Sequence, residues 1–236
     1  MKKLFLIPLI MMPLVAFGQS NNDLETKVWV QGNRIYYIGD ISEKANNIAK
    51  RLLKKHKIDT MIIRSHGGLV SLGMDLGDLI FENKLNVQVD QYCNSSCANY
   101  IFPAGRKKYL LRNSQLIWHG GASQPIIFDK DNFLKELNNH KYRNEFIKNY
   151  RNSLERERLF FKKIRVDPRI TNMGETLEVQ LNMIEEWHEL CVWDYSLDVM
   201  KKLGIKNIHL KDGEWSAPRH TKSGVCVYRI NKLPQS

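Results

Sequence analysis

The stretch that decides the fold is IRSHGGLVSLGMDLGDLI, residues 63–80. It completes a short apolar strand predicted over residues 60–64 and turns through the polar residues 65–68. It then enters a helix predicted over residues 72–81, because leucine and isoleucine recur there at helical spacing. A buried strand followed at once by a helix is the start of a βαβ unit, whose next strand runs parallel to the first.

The same alternation continues on both sides of this stretch. A predicted helix capped by Ser42 precedes it, and a tight turn leading into an apolar helix follows it over residues 93–103. Strands are predicted at residues 28–30, 34–38, 60–64, 87–89 and 116–118. We therefore predict an α/β fold with repeated βαβ units and a mostly parallel sheet over residues 19–125.

Polar residues follow three of these strands at the points where the strands end. They occupy residues 65–68, 93–97 and 119–121. The carboxyl ends of parallel strands meet at one edge of a sheet, and α/β proteins bind their ligands there. The sequence therefore predicts one site assembled from these three segments.

The residue types in these segments match the requirements of a serine hydrolase. Such an enzyme needs a hydroxyl, a base that accepts its proton, and backbone N–H groups that stabilise the oxyanion. Ser95 in a strand-to-helix turn is the candidate nucleophile, and His119 is the candidate base. The amides of Ser96 and Gly68 are the candidate oxyanion donors. The alternatives are that Ser95 caps a helix and that His119 is a hydrogen-bonded interior histidine.

These motifs resemble those of the Clp protease catalytic-subunit family, within the wider crotonase-like superfamily. The segment at residues 65–68 is similar to the family's Ser-Pro-Gly-Gly, Ser95 to its helix-start serine, and His119 to the histidine that ends a strand. The Cys93-x-Ser95-x-Cys97 form is closest to exported bacterial relatives. The resemblance covers about residues 25–125 and implies a crotonase/Clp-protease-like fold and a serine-type peptidase without a cofactor.

The chain departs from the family pattern at three points. His66 replaces the family's proline, and Ser96 is a rival nucleophile beside Ser95. The family's third catalytic residue is an aspartate that precedes a short helix ending in glycine. Asp194 fits that description best, Asp167 fits the distance from His119 better, and a Ser–His dyad is the remaining alternative.

The second half of the chain is predicted to be a helical extension, residues 126–236, of one domain that spans residues 19–236. A long charged helix or helical pair is predicted over residues 129–163, an amphipathic helix over 177–190 and a short helix over 196–203. A final strand is predicted over residues 225–230.

The N-terminus has the pattern of a secretory signal peptide over residues 1–18. Two lysines precede the apolar run LFLIPLIMMPLVAF, and Ala16 and Gly18 place small residues at the positions that a signal peptidase reads, with cleavage predicted after Gly18. The alternatives are a buried N-terminal helix, which Pro8 and Pro13 disfavour, and an uncleaved anchor. The mature chain is thus predicted to be exported to the periplasm or the extracellular space.

Four cysteines fit an exported chain, because an even number permits disulfides in an oxidising compartment. Three pairings are open, and Cys93–Cys97 with Cys191–Cys226 is the favoured one. Four reduced, buried thiols are the alternative. No second Cys or His pair lies at zinc-ligand spacing, so no metal site is predicted.

The formal net charge of +11 favours acidic partners, yet no nucleic-acid motif accompanies it. The predicted partner is a peptide or an unfolded protein substrate. A homo-oligomer, with the helix at residues 129–163 as its interface, is implied by analogy with the superfamily. Two rival functions stay open: a non-catalytic binding or assembly protein that keeps the fold, and a basic envelope-binding or lipid-binding protein in peripheral contact with the membrane.

Overall fold

A computed structural model describes residues 25–123 and 138–234. The predicted signal peptide, and residues 129–137 of the predicted long helix, lie outside these ranges. No helix within them is long and apolar enough to cross a membrane.

Within residues 25–123 and 138–234, the main sheet has seven strands and a separate sheet has two. These strands are β1 Lys27–Gln31, β2 Arg34–Ile38, β3 Thr60–Ser65, β4 Asn86–Asn94, β5 Lys108–Leu110, β6 Gln115–Ile117, β7 Val192–Tyr195, β8 Ile208–Leu210 and β9 Val227–Ile230. The main sheet has the order β1-β2-β3-β4-β5-β8, with β6 also paired to β4. Only the β1–β2 pair is antiparallel among these strand pairs.

Strand β4 is shared by two neighbours. Its first half pairs with β5, with Val87 opposite Lys108, and its second half pairs with β6, with Cys93 opposite Leu116. Beyond β6, Trp118 and Trp193 exchange backbone hydrogen bonds of 2.8 and 3.1 Å, which join the chain after β6 to β7 of the small parallel β7–β9 sheet. The main sheet and the small sheet are therefore connected through β6, which pairs with β4, and through Trp118, which bonds to β7.

The helices pack against the sheets and connect their strands. They are α1 Glu43–Lys55, α2 Val70–Glu82, α3 Phe102–Ala104, α4 His140–Ile164, α5 Leu177–Trp187 and α6 Leu197–Lys202. A π-helical turn, Cys97–Ile101, leads into α3, and 3-10 turns cover Pro168–Thr171 and Met173–Glu175. As predicted, Ser42 caps α1, with its Oγ accepting from the amide of Ala45 at 3.3 Å.

The predicted α/β class and mostly parallel sheet are confirmed. The second half is less helical than predicted, because it contributes β7 and β8 as well as the expected β9. Strands β5 and β8 have only three residues each, too few to show an alternation of apolar and polar side chains. Residue Lys108 of β5 is also buried, against the usual exposure of lysine.

Candidate active site

Ser95 lies in the sharp turn between β4 and the π-helical turn. Its φ of 56° is in the left-handed region, which non-glycine residues rarely adopt and which recurs at functional sites. The Ser95 amide donates a 2.8 Å hydrogen bond to the carbonyl oxygen of Ile117, two residues before His119. The cap position of the following helix is Ser96, without a side-chain capping bond, so Ser95 is not the N-cap.

A disulfide between Cys93 and Cys97 brackets this turn. Cys93 belongs to β4, Cys97 begins the π-helical turn, and both residues are buried. The second disulfide joins Cys191 to Cys226, just before β7 and β9. Both disulfides are the pairings that the sequence favours, and they are compatible with a protein that folds in an oxidising compartment.

The glycine loop after β3 packs directly on the Ser95 turn. Gly67 has a φ of +110°, and a Cβ atom at this position would lie 2.8 Å from both the carbonyl oxygen of Asn94 and the Cβ of Ser95. Its own amide donates to Ser65 Oγ at 3.0 Å, and its carbonyl oxygen accepts from the amide of Ile41 at 2.6 Å. Only glycine fits here, because both the backbone angle and the close approach exclude a side chain.

Ser96 connects the same loop to the helix that follows Ser95. Its side chain is buried, and its Oγ donates a 2.7 Å hydrogen bond to the carbonyl oxygen of Gly68. The partly exposed Ser95 is therefore better placed than Ser96 to meet a substrate.

His119 follows β6 and Trp118 and is partly buried. Burial lowers the pKa of its imidazole below the usual 6.5, against an opposing backbone hydrogen bond, which favours the neutral form that a general base needs. The segment is bonded to the π-helical turn Cys97–Ile101, because Asn99 Nδ2 donates a 2.7 Å hydrogen bond to the carbonyl oxygen of Gly120. At one end of the sheet, the segment at residues 65–68 thus contacts the Ser95 turn, and the chain on either side of His119 is bonded to the Ser95 turn and to the helix after it.

Asp194 lies in β7, completely buried, with two arginine partners. Its Oδ1 accepts from Arg219 and Arg229 at 3.0 Å each, and its Oδ2 accepts from the same residues at 2.5 and 2.7 Å. Asp167 caps the first 3-10 turn and pairs with Arg169 at 2.7 Å. Each candidate aspartate therefore has a cationic partner, and the assignment of Asp194 as the third catalytic residue stays a prediction.

A third carboxyl group, that of Glu157, lies near the histidine segment, and the sequence did not predict it as a site residue. Glu157 of α4 is buried, and its Oε1 accepts from the hydroxyl of Tyr100 at 2.5 Å and from the amide of Ala122 at 3.1 Å. Burial raises the pKa of this carboxyl, against the lowering effect of both hydrogen bonds. Glu157 thus links α4 to the π-helical turn Cys97–Ile101 and to the loop after His119.

Buried polar atoms without a hydrogen-bond partner concentrate at this end of the sheet. Among the described residues they are Asn94 Oδ1, Asn99 Oδ1, Trp118 Nε1, Ser123 Oγ and Glu175 Oε1. The first four lie on the segments that carry Ser95 and His119. Because buried polar groups are normally paired, such a concentration is typical of a place where water or a ligand completes the bonding.

A cleft of about 500 Å³ is lined by the second half of β4 and by the segment that leads into β6. Tyr92, three residues before Ser95, lines it together with His220 and Lys222. The exposed ring of His66 stacks on Tyr92 with 4.2 Å between ring centroids, so His66 lies beside this cleft.

Within the described ranges, no group of three His, Cys, Asp or Glu side chains is arranged to hold a metal ion. Comparison with protein-family models and with curated proteins finds no match to this chain. The relation to the Clp protease and crotonase-like proteins therefore rests on the sequence motifs, and it stays a prediction.

Proposed function

We propose that this protein is an exported serine hydrolase, with a peptide carbonyl as its most suitable substrate group. The observation that supports this most is the backbone of Ser95, held at a left-handed φ between a strand and a helix and bonded to the strand that leads to His119. A serine held in a sharp strand-to-helix turn presents its hydroxyl to solvent, while the amides after it face the same space.

The proposed reaction uses the two residues in sequence. Ser95 Oγ attacks the carbonyl carbon while its proton passes to a ring nitrogen of His119, which gives a tetrahedral oxyanion. His119 then donates that proton to the leaving amine, and an acyl group remains on Ser95. A water molecule, deprotonated by His119, releases the acid and restores the serine.

The amides of Gly68 and Ser96 are the proposed donors to the oxyanion. The Ser96 hydroxyl holds the two loops together through Gly68, which keeps these amides at a fixed separation. Preorganised donors of this kind stabilise the charge that develops in the transition state, and losing one typically slows the reaction ~100-fold or more.

A fluorophosphonate probe tests the proposal, because only an activated serine displaces its fluoride. We expect the oxidised wild-type protein to be labelled at Ser95, S96A to be labelled at the same residue, and both S95A and H119A to be unlabelled. Circular dichroism and a count of free thiols establish that each variant is folded and oxidised. A folded, oxidised wild type that resists labelling would leave a non-catalytic binding protein as the better function.

A further inference from the structure

Three buried or partly buried carboxyl groups lie near the His119 segment, and they differ in what they already bind. Asp194 accepts four hydrogen bonds from Arg219 and Arg229, and Glu157 accepts from Tyr100 and Ala122. Glu175 is different: its Oε1 is buried and has no partner among the described residues. Of the three, Glu175 is the one with an oxygen available for a new bond.

The two 3-10 turns that lead to Glu175 pack against Gly121, after His119, and against Trp193, which is bonded to the residue before His119. On one side, Gly174 lies so close to the ring of Trp193 that a Cβ atom would be 2.1 Å from its Cδ2, and Trp193 is bonded to the backbone of Trp118. On the other side, a Cβ atom on Gly121 would be 2.7 Å from the Cβ of Thr171. The chain from Thr171 to Glu175 is therefore in contact with the segment that presents the imidazole.

The free carboxyl of Glu175 is unfavourable for the fold by itself. Burial raises its pKa to about 7, and no cation in the part of the chain that the structure describes offsets this effect. A buried carboxyl without a partner is a cost that proteins retain mainly where it serves a function.

We propose that Glu175 is the positioning residue for His119, an inference that rests on the proposed function of Ser95 and His119. In the proposed reacting state, the Glu175 carboxylate, whose Oε1 has no partner among the described residues, accepts the N–H of the imidazole nitrogen that does not take the Ser95 proton. This bond would fix the tautomer and the orientation of the ring. The carboxylate also stabilises the imidazolium that forms when Ser95 gives up its proton, and it takes up no proton itself in that step. Asp194 then has a structural role, through its hydrogen bonds with Arg219 and Arg229.

The test compares E175Q, E175D and D194N with E185Q, which changes an exposed glutamate on the following helix. We expect E175Q to slow fluorophosphonate labelling ~100-fold or more, E175D to recover part of that loss, and E185Q to label like the wild type. The labelling rate of folded D194N should stay within about threefold of the wild type. An E175Q protein that labels at the wild-type rate would overturn the assignment.

A second measurement does not depend on activity. Nuclear magnetic resonance of the His119 ring gives its titration midpoint, which a nearby carboxylate raises; E175Q should therefore titrate at a pH at least ~0.5 unit lower than the wild type. D194N and E185Q should leave the midpoint unchanged. A shift in E175Q without any labelling of the wild type would contradict the proposed hydrolase and preserve the contact. Labelling of the wild type with no shift in E175Q would contradict the contact between Glu175 and His119 and preserve the proposed hydrolase.

Discussion

Ser96 and Gly68 are joined by a 2.7 Å hydrogen bond from the serine hydroxyl to the glycine carbonyl oxygen. The bond connects the glycine loop after β3 to the helix that follows Ser95. It holds together the two residues whose amides we propose as oxyanion donors, and the proposed mechanism gives the Ser96 hydroxyl no chemical role.

Replacement of Ser96 by alanine should therefore slow the reaction without abolishing it. We expect S96A to be labelled at Ser95 about 10-fold more slowly than the wild type, since the donors remain but their separation is less fixed. The free energy of unfolding should fall by about 1 kcal/mol, as one buried hydrogen bond is lost. S71A, at an exposed serine of α2, is the matched control. Complete loss of labelling in a folded S96A would instead identify Ser96 as the nucleophile.

Gly67 offers a test of the contact between the glycine loop and Ser95. In G67A the new Cβ would lie 2.8 Å from the Asn94 carbonyl oxygen at a φ of +110°, so the loop must move away from Ser95. We expect labelling to be lost and the free energy of unfolding to fall by about 2–4 kcal/mol. Gly213 has a φ of +78° with open space around it, so G213A should lose only about 1 kcal/mol and label normally. Equal behaviour of the two variants would show that the contact is unimportant.

Loss of the Cys93–Cys97 disulfide should reduce activity more than stability, and loss of the Cys191–Cys226 disulfide should do the opposite. Chain-entropy arguments assign about 2 kcal/mol to the short Cys93–Cys97 link and about 4 kcal/mol to the Cys191–Cys226 link, which closes a much longer loop. The C93A/C97A variant should thus lose less stability and more labelling, because that link brackets Ser95. Urea unfolding and labelling rates of C93A/C97A and C191A/C226A test this ranking. If the same variant lost more stability and more labelling, the prediction would be contradicted.

Asp194 should be essential for stability. D194N removes the charge that faces two partly buried guanidinium groups, and breaking such a cluster costs about 3–5 kcal/mol. D198N, at an exposed position of α6, should have little effect. Urea unfolding at neutral pH measures both variants. A D194N protein as stable as the wild type would mean that the arginines are satisfied without the carboxylate.

Glu175 should destabilise the protein at alkaline pH. Its folded-state pKa of about 7 lies above the usual 4.5, so the folded protein holds this proton more tightly than the unfolded chain. The resulting stability is complete below pH 4.5 and is lost as the pH rises through 7. Because the carboxyl is partly exposed, solvent screens part of this effect, and E175Q should be about 1–2 kcal/mol more stable than the wild type at pH 8 and equally stable at pH 4. A loss of stability at pH 8 would show that Glu175 serves the fold instead of the site.

Local patterns in the sequence predict much of the site, because Ser95, His119 and the glycine loop each lie beside their own strand. Their convergence follows from the parallel order of β3, β4 and β6. Glu175 has no such local signature: its burial results from contacts of its neighbours with Trp193 and Gly121. The partners of Asp194 are Arg219 and Arg229. They lie far from it along the chain, so no local sequence pattern predicts these ion pairs.

Strand β4 has partners along both edges, with β3 on one side and β5 and then β6 on the other. Its amides should therefore be among the slowest in the protein to exchange with solvent deuterium, since they are released only when the sheet itself opens. Ser95 follows the last residue of this strand, whereas the glycine loop follows β3 in a turn with an exposed tip. If Ser95 is the nucleophile that we propose, brief opening of that loop would admit or release a substrate while Ser95 stays fixed to the most persistent part of the fold.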